Sequence, residues 1–164
     1  MTLNLTKPLA LLTFAAAILV GLSGCEVMDD TGTWRGTAVN RDDFREPYTC
    51  NMETKLTHTD DEVILHHIVA DCGAYRGVWH PGKFEVHGTT VWKNGRAGGW
   101  AKDDGSVTLD INDPAGMFDE RYPYPASRVV ISWVRVNGRL EYTEEAHFAG
   151  RVQRTHGWLS RDYL

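Results

Sequence analysis

Residues 129–146 read Val-Val-Ile-Ser-Trp-Val-Arg-Val-Asn-Gly-Arg-Leu-Glu-Tyr-Thr-Glu-Glu-Ala: two alternating runs about an Asn-Gly pair. A two-residue hairpin loop needs positive φ at both central positions, which Asn and Gly tolerate best. With Asn137-Gly138 as the loop, Arg135 opposes Leu140, Trp133 opposes Tyr142, Ile131 opposes Glu144, and Val129 opposes Ala146. One face then carries Val129, Ile131, Trp133, Leu140, Tyr142 and Ala146. The other carries Arg139, Glu141, Thr143 and Glu145 beside Val130 and Val134. Successive side chains alternate across a strand, so the first face is the core side.

The same grammar recurs. Asn94-Gly95 and Asp104-Gly105 are further hairpin dipeptides, and Asp60-Asp61 and Pro81-Gly82 are weaker turn signals. About Asp104-Gly105, Trp100 opposes Leu109 and shares its face with Val107 and Ile111. About Pro81-Gly82, Trp79 opposes Phe84 with Val86 beside them, while Trp92 faces away from Val91 and Trp100, toward solvent. No stretch after residue 25 keeps a helical period for three turns. Strands are expected at 32–39, 49–58, 62–70, 74–80, 83–93 with a kink near Gly88, 96–103, 106–111, 128–136, 139–148 and 151–159. The fold class is all-β. Short strands in consecutive hairpin order favour an antiparallel up-and-down barrel of about 8–10 strands, which leaves no exposed edge. A barrel of that size is wide enough for one small ligand. The alternative is a two-sheet sandwich filled by its own side chains.

The chain has 164 residues, 42% hydrophobic and 24% charged, enough for one domain with a core and no low-complexity tract. The net charge of −5 argues against sequence-independent binding to nucleic acid, which needs a basic face.

The first 24 residues carry no acidic residue and one basic residue, Lys7, before the apolar run Leu9–Leu22. This has the length of a secretory h-region and is short for a spanning helix. Leu22-Ser23-Gly24-Cys25 follows and resembles the bacterial lipobox. The resemblance implies cleavage after Gly24, acylation of Cys25, and anchorage to a lipid bilayer without a spanning helix. Glu26, in place of an inner-membrane-retaining aspartate, implies the outer membrane, facing the periplasm. The expected organisation is a signal peptide at 1–24, a lipidated N-terminus and linker at 25–31, and a barrel domain at 32–164. Loss of Lys7 takes the net charge from −5 to −6. In an oxidising compartment the remaining cysteines, Cys50 and Cys72, are expected to form a disulfide. A metal-binding pair is the alternative, but their spacing lacks the paired CxxC pattern.

Gly32-Thr33-Trp34-Arg35-Gly36 resembles the first strand of the calycin-like barrels: lipocalins, avidins and, above all, nitrobindins. In these families the Trp closes one end of the barrel. The nitrobindin resemblance further implies a haem held by a histidine on the last strand, for which this chain offers His156. Ala38 stands where nitrobindins prefer a glycine, and a disulfide and lipid anchor are foreign to them. Apart from that haem, no cofactor and no metal are expected.

Residues 112–127 contain three prolines, which exclude a central strand, together with Met117, Phe118, Tyr122 and Tyr124. They read as a lid over a barrel mouth, a partner-binding patch, or a plug. Trp34, Trp79, Trp100, Trp133 and Tyr142 are candidate ligand-lining residues, with a barrel packed solid by these rings as the alternative.

Catalytic patterns are absent from the sequence. The seven histidines form no HExxH, and no serine sits in a GxSxG elbow. His66 and His67 are neighbours on a strand, so their side chains point to opposite faces and cannot chelate one ion together without a bulge. The acidic pairs, Glu144-Glu145 among them, lie at turns or along strands and read mostly as solvated. The leading expectation is a membrane-anchored barrel burying a small apolar or amphipathic ligand. The rival is an envelope assembly or inhibitor module that binds a protein partner.

Overall fold

The computed structural model describes residues 30–73, 75–114 and 125–162. Eleven strands run through them: β1 (Gly32–Asp42), β2 (Arg45–His58), β3 (Glu62–Asp71), β4 (Arg76–Trp79), β5 (Gly82–His87), β6 (Thr90–Lys93), β7 (Arg96–Ala101), β8 (Val107–Asn112), β9 (Arg128–Val136), β10 (Arg139–Phe148) and β11 (Arg151–Arg161). Every pairing is antiparallel, and β11 returns to pair with β1. β4 and β5 both lie along β3 in one register, with Ile68 opposite Trp79 and Leu65 opposite Gly82. They form one strand, interrupted at His80-Pro81, where proline has no N–H to give the ladder. The sheet therefore closes on itself as an all-β, antiparallel, up-and-down barrel.

The hairpin at residues 129–146 has the expected register, and its expected core face is buried throughout. Asn137 and Gly138 take φ of 51° and 76°, and Asn94 and Gly95 take 51° and 75°. Both pairs are two-residue turns with positive φ at each centre.

Three local expectations are corrected. Pro81-Gly82 is not a hairpin, so Trp79 lies against Ile68 rather than Phe84. The kink near Gly88 is a complete two-residue turn, with His87 opposite Thr90. At Asp104-Gly105 the loop is longer than two residues, because Lys102 N–H donates to Ser106 O and Gly105 N–H to Lys102 O. The Asp104 carboxylate accepts the Ser106 N–H at 2.9 Å, which supports the wider turn. The register slips by one, so Gly99 opposes Leu109 and Trp100 opposes Thr108. A one-residue slip reverses a face, and Trp100 stands outside, 48% exposed.

A bulge also changes the reading of the two adjacent histidines. Lys55 opposes His67 and Leu56 opposes Leu65, leaving His66 unpaired. Both rings therefore stay on the outer side, His66 beside Thr57 Oγ1 at 3.0 Å and His67 beside Glu53 Oε1 at 2.8 Å.

The closing seam is built from small residues. Ala38 faces Gly157 across β1 and β11. A Cβ on Gly157 would lie 2.5 Å from Ala38 Cβ, and one on Gly36 would lie 2.1 Å from Trp158 O. The two chain ends approach this closely only because these positions carry no side chain. The outer wall is charged, with Arg35 on Glu53, Arg128 on Asp110 and Arg154 on Glu145.

The two barrel ends differ. At the end where β1 begins, Trp34 is fully buried and its Nε1–H donates to Asp30 O at 2.7 Å. Trp133 Nε1–H donates to Asp30 Oδ2 at 3.2 Å. Trp34 thus closes one end of the barrel. The other end is ringed by the β1–β2, β3–β4, β6–β7 and β10–β11 turns. At this end Asp113 N–H donates to Ser127 O and Ser127 N–H to His147 O, which extends the ladder past β8 and β9.

Candidate functional site

The site is a cavity of about 60 Å³ inside the second end. Its polar wall follows from strand alternation. On β1, Trp34, Ala38 and Asn40 point inward, and Asn40 sits opposite Thr155 of β11. Thr155 sits opposite Glu144 of β10, so Asn40, Thr155 and Glu144 form a row across three strands. Gln153, two residues along β11 and opposite Ala146, completes the patch. All four are buried and line the cavity. The facing wall is apolar: Met52, Ile68, Ala70, Trp79 and Phe148, with Tyr75 and the Cys72 end of the disulfide at its edge.

The polar patch is only partly satisfied from within. Asn40 Nδ2–H donates to Thr155 Oγ1 at 3.3 Å, and Tyr142 O–H donates to Glu144 Oε2 at 2.6 Å. Asn40 Oδ1 and Gln153 Oε1 are buried and, among the described residues, have no partner. Each such orphan costs about 1–3 kcal/mol, so two in one small space mark a place built to receive donors.

Burial pushes the Glu144 carboxyl above the usual carboxylate range, against the opposing effect of the Tyr142 hydrogen bond. Burial also raises the Tyr142 phenol well above its ordinary range, helped by Glu144 beside it. The folded barrel therefore holds the Glu144 proton more tightly than the unfolded chain does. The resulting stability is fully present below the ordinary value of 4.5 and is lost as pH rises through the raised value. Glu144→Gln is expected to flatten this decline and to melt above the parent at pH 8. The gain should be several degrees, at about 4 °C per kcal/mol. Thermal melts from pH 4.5 to 8 check it; an unchanged slope in the variant would remove Glu144 as its source.

The candidates read from sequence are distributed unevenly about this cavity. Trp79 lines it, and Tyr142 reaches it through Glu144. Trp34 and Trp133 belong to the Asp30 plug at the far end, and Trp100 is on the outer surface. Glu144, read among solvated acidic pairs, is buried. His156 points outward, more than half exposed, with Nε2 3.0 Å from Glu141 Oε1. Thr155 and Gly157 occupy the inward positions on either side, so His156 cannot ligate a haem in the lumen. Cys50 and Cys72 are disulfide-bonded. Cys25, Met117, Phe118, Tyr122 and Tyr124 lie outside the described residues.

Asn40, Glu144, Gln153 and Thr155 were the residues missed. For Glu144 the signal was present, since the hairpin register places it opposite inward-facing Ile131. Among the described residues no group of three His, Cys, Asp or Glu side chains is placed to hold a metal ion. No family model and no curated protein matches the chain.

Proposed function

We propose that the chain is a bacterial lipoprotein, anchored through acyl groups on Cys25, whose barrel binds the head of a small amphipathic ligand. One observation carries this reading: a lumen cavity with one aromatic and aliphatic wall, and a facing wall that holds a buried carboxyl and two unpartnered amide oxygens. An apolar segment gains by leaving water, and the polar wall orients the head.

The anchor has a geometric consequence. Asp30 is held at the plugged end by Trp34 and Trp133, and it stands only five positions after Cys25. Five residues span at most about 17 Å. The plugged end then rests near the bilayer, and the cavity end points into the aqueous compartment. Ligand would be exchanged with that compartment, which Glu26 assigns to the periplasm if the membrane is the outer one.

Native mass spectrometry of the chain purified from an exporting host tests the proposal. The expected spectrum shows a chain without residues 1–24, acylated on Cys25, carrying a further adduct that is lost on denaturation. An unacylated chain that keeps residues 1–24 would overturn the anchor. An acylated chain without adduct that also ignores added amphiphiles would overturn the binding role. That result would leave the second reading, an envelope module that docks a protein, which the exposed outer Trp100 and Phe44 support.

A further inference from the structure

We propose that the head group taken by this cavity is a primary ammonium, an assignment that rests on reading the cavity as a ligand site. Among the described residues Glu144 is the one charged side chain that lines it, and no described lysine, arginine or histidine does. An anionic head would meet a carboxyl and two amide oxygens with no cation to pair with, and buried charge is tolerated only when paired. The two unmet groups are acceptors, Asn40 Oδ1 and Gln153 Oε1, and the Glu144 carboxylate beside them accepts the Tyr142 O–H and has lone pairs for further donors.

A primary ammonium brings three N–H donors and no acceptor, matching three acceptor side chains grouped about Thr155. Opposite positions on adjacent strands lie about 5 Å apart, so Asn40 and Glu144 flank Thr155 closely enough to share one small head. Tyr75, Trp79 and Phe148 add aromatic rings to the same lining, and rings attract cations electrostatically. A quaternary ammonium would gain from the rings but leave the amide oxygens orphaned. An alcohol offers one donor and no charge. The space of about 60 Å³ suits the head and the first methylenes of a chain, well short of the ~300 Å³ that encloses a whole drug-sized ligand.

The test is a titration of the full chain, purified from an exporting host in nonionic detergent at neutral pH. The probes are hexylamine, hexanol, hexanoate and hexyltrimethylammonium, followed by calorimetry and by tryptophan emission, to which Trp79 contributes from the cavity wall. Hexylamine is expected to bind saturably and at least tenfold more tightly than the other three. Glu144→Gln should weaken it about tenfold to a hundredfold, the worth of a hydrogen bond to a charged partner. Gln153→Leu, which removes an acceptor and no charge, should weaken it less. If Glu144→Gln does not fold, the ranking of the four probes on the parent still decides. Equal or tighter binding of hexanol, hexanoate or the quaternary probe would overturn the ammonium head and leave an amphipath-binding barrel. No saturable binding of any probe would overturn the ligand-site reading and this assignment with it.

Discussion

Trp34→Ala is expected to cost about 3–5 kcal/mol of folding stability, while Trp100→Ala stays within about 0.5 kcal/mol. Trp34 is fully buried at the plugged end, and its indole N–H satisfies the Asp30 carbonyl. Truncation leaves a cavity lined by residues that the closed sheet prevents from collapsing inward. It also strips a buried carbonyl of its donor and loosens the segment that carries Asp30 to Trp133. Trp100, by contrast, is 48% exposed on the outer wall, because the wider turn at Asp104-Gly105 reverses its face. Denaturant melts of the two variants check both statements together. Comparable losses would mean that Trp100 faces inward and that β7 pairs with β8 one residue away from the register described.

Removal of the disulfide should have the next largest effect. Cys50 and Cys72 are 22 residues apart and join the inner face of β2 to the end of β3. Closing a loop of that length stabilises by about 3 kcal/mol through the unfolded chain. A Cys50→Ala, Cys72→Ala double variant should lose about that much in a denaturant melt. Because Cys72 and Tyr75 lie at the edge of the cavity, the same variant should also bind hexylamine less tightly. A stability loss with unchanged affinity would show that the β3–β4 connection does not shape the site. Neither loss would mean that the bridge is dispensable to the barrel.

Legibility followed the range of the interaction. The Asn137-Gly138 hairpin was readable because its register depends on two adjacent residues with unusual φ preferences. Its core face, from Val129 to Ala146, then follows by alternation alone. The candidate site was less legible. Asn40 and Thr155 meet across 115 residues of chain, and nothing local in either strand announces the other. Glu144 shows how the error arose. Its inward position follows from the hairpin, yet composition alone groups a glutamate beside another glutamate with solvated charge. His66 and His67 depart from simple alternation for a related reason. The bulge that keeps both outside arises where β2 and β3 pair, a property of neither strand alone.

What the sequence by itself determined is the alternation of the strands, the two Asn-Gly turns, the all-β meander and its inward aromatic face. Each of these is a short-range consequence of φ preference and side-chain period. Only the tertiary structure decided that β11 closes against β1, which the bare seam at Gly36, Ala38 and Gly157 permits. Closure assigned the remaining roles. It made Trp34 and Trp133 a plug around Asp30, sent His156 outward, and gathered Asn40, Glu144, Gln153 and Thr155 into one wall. Strand periodicity states which side chains share a face; only closure of the ring makes that face a lumen and determines which residues meet inside it.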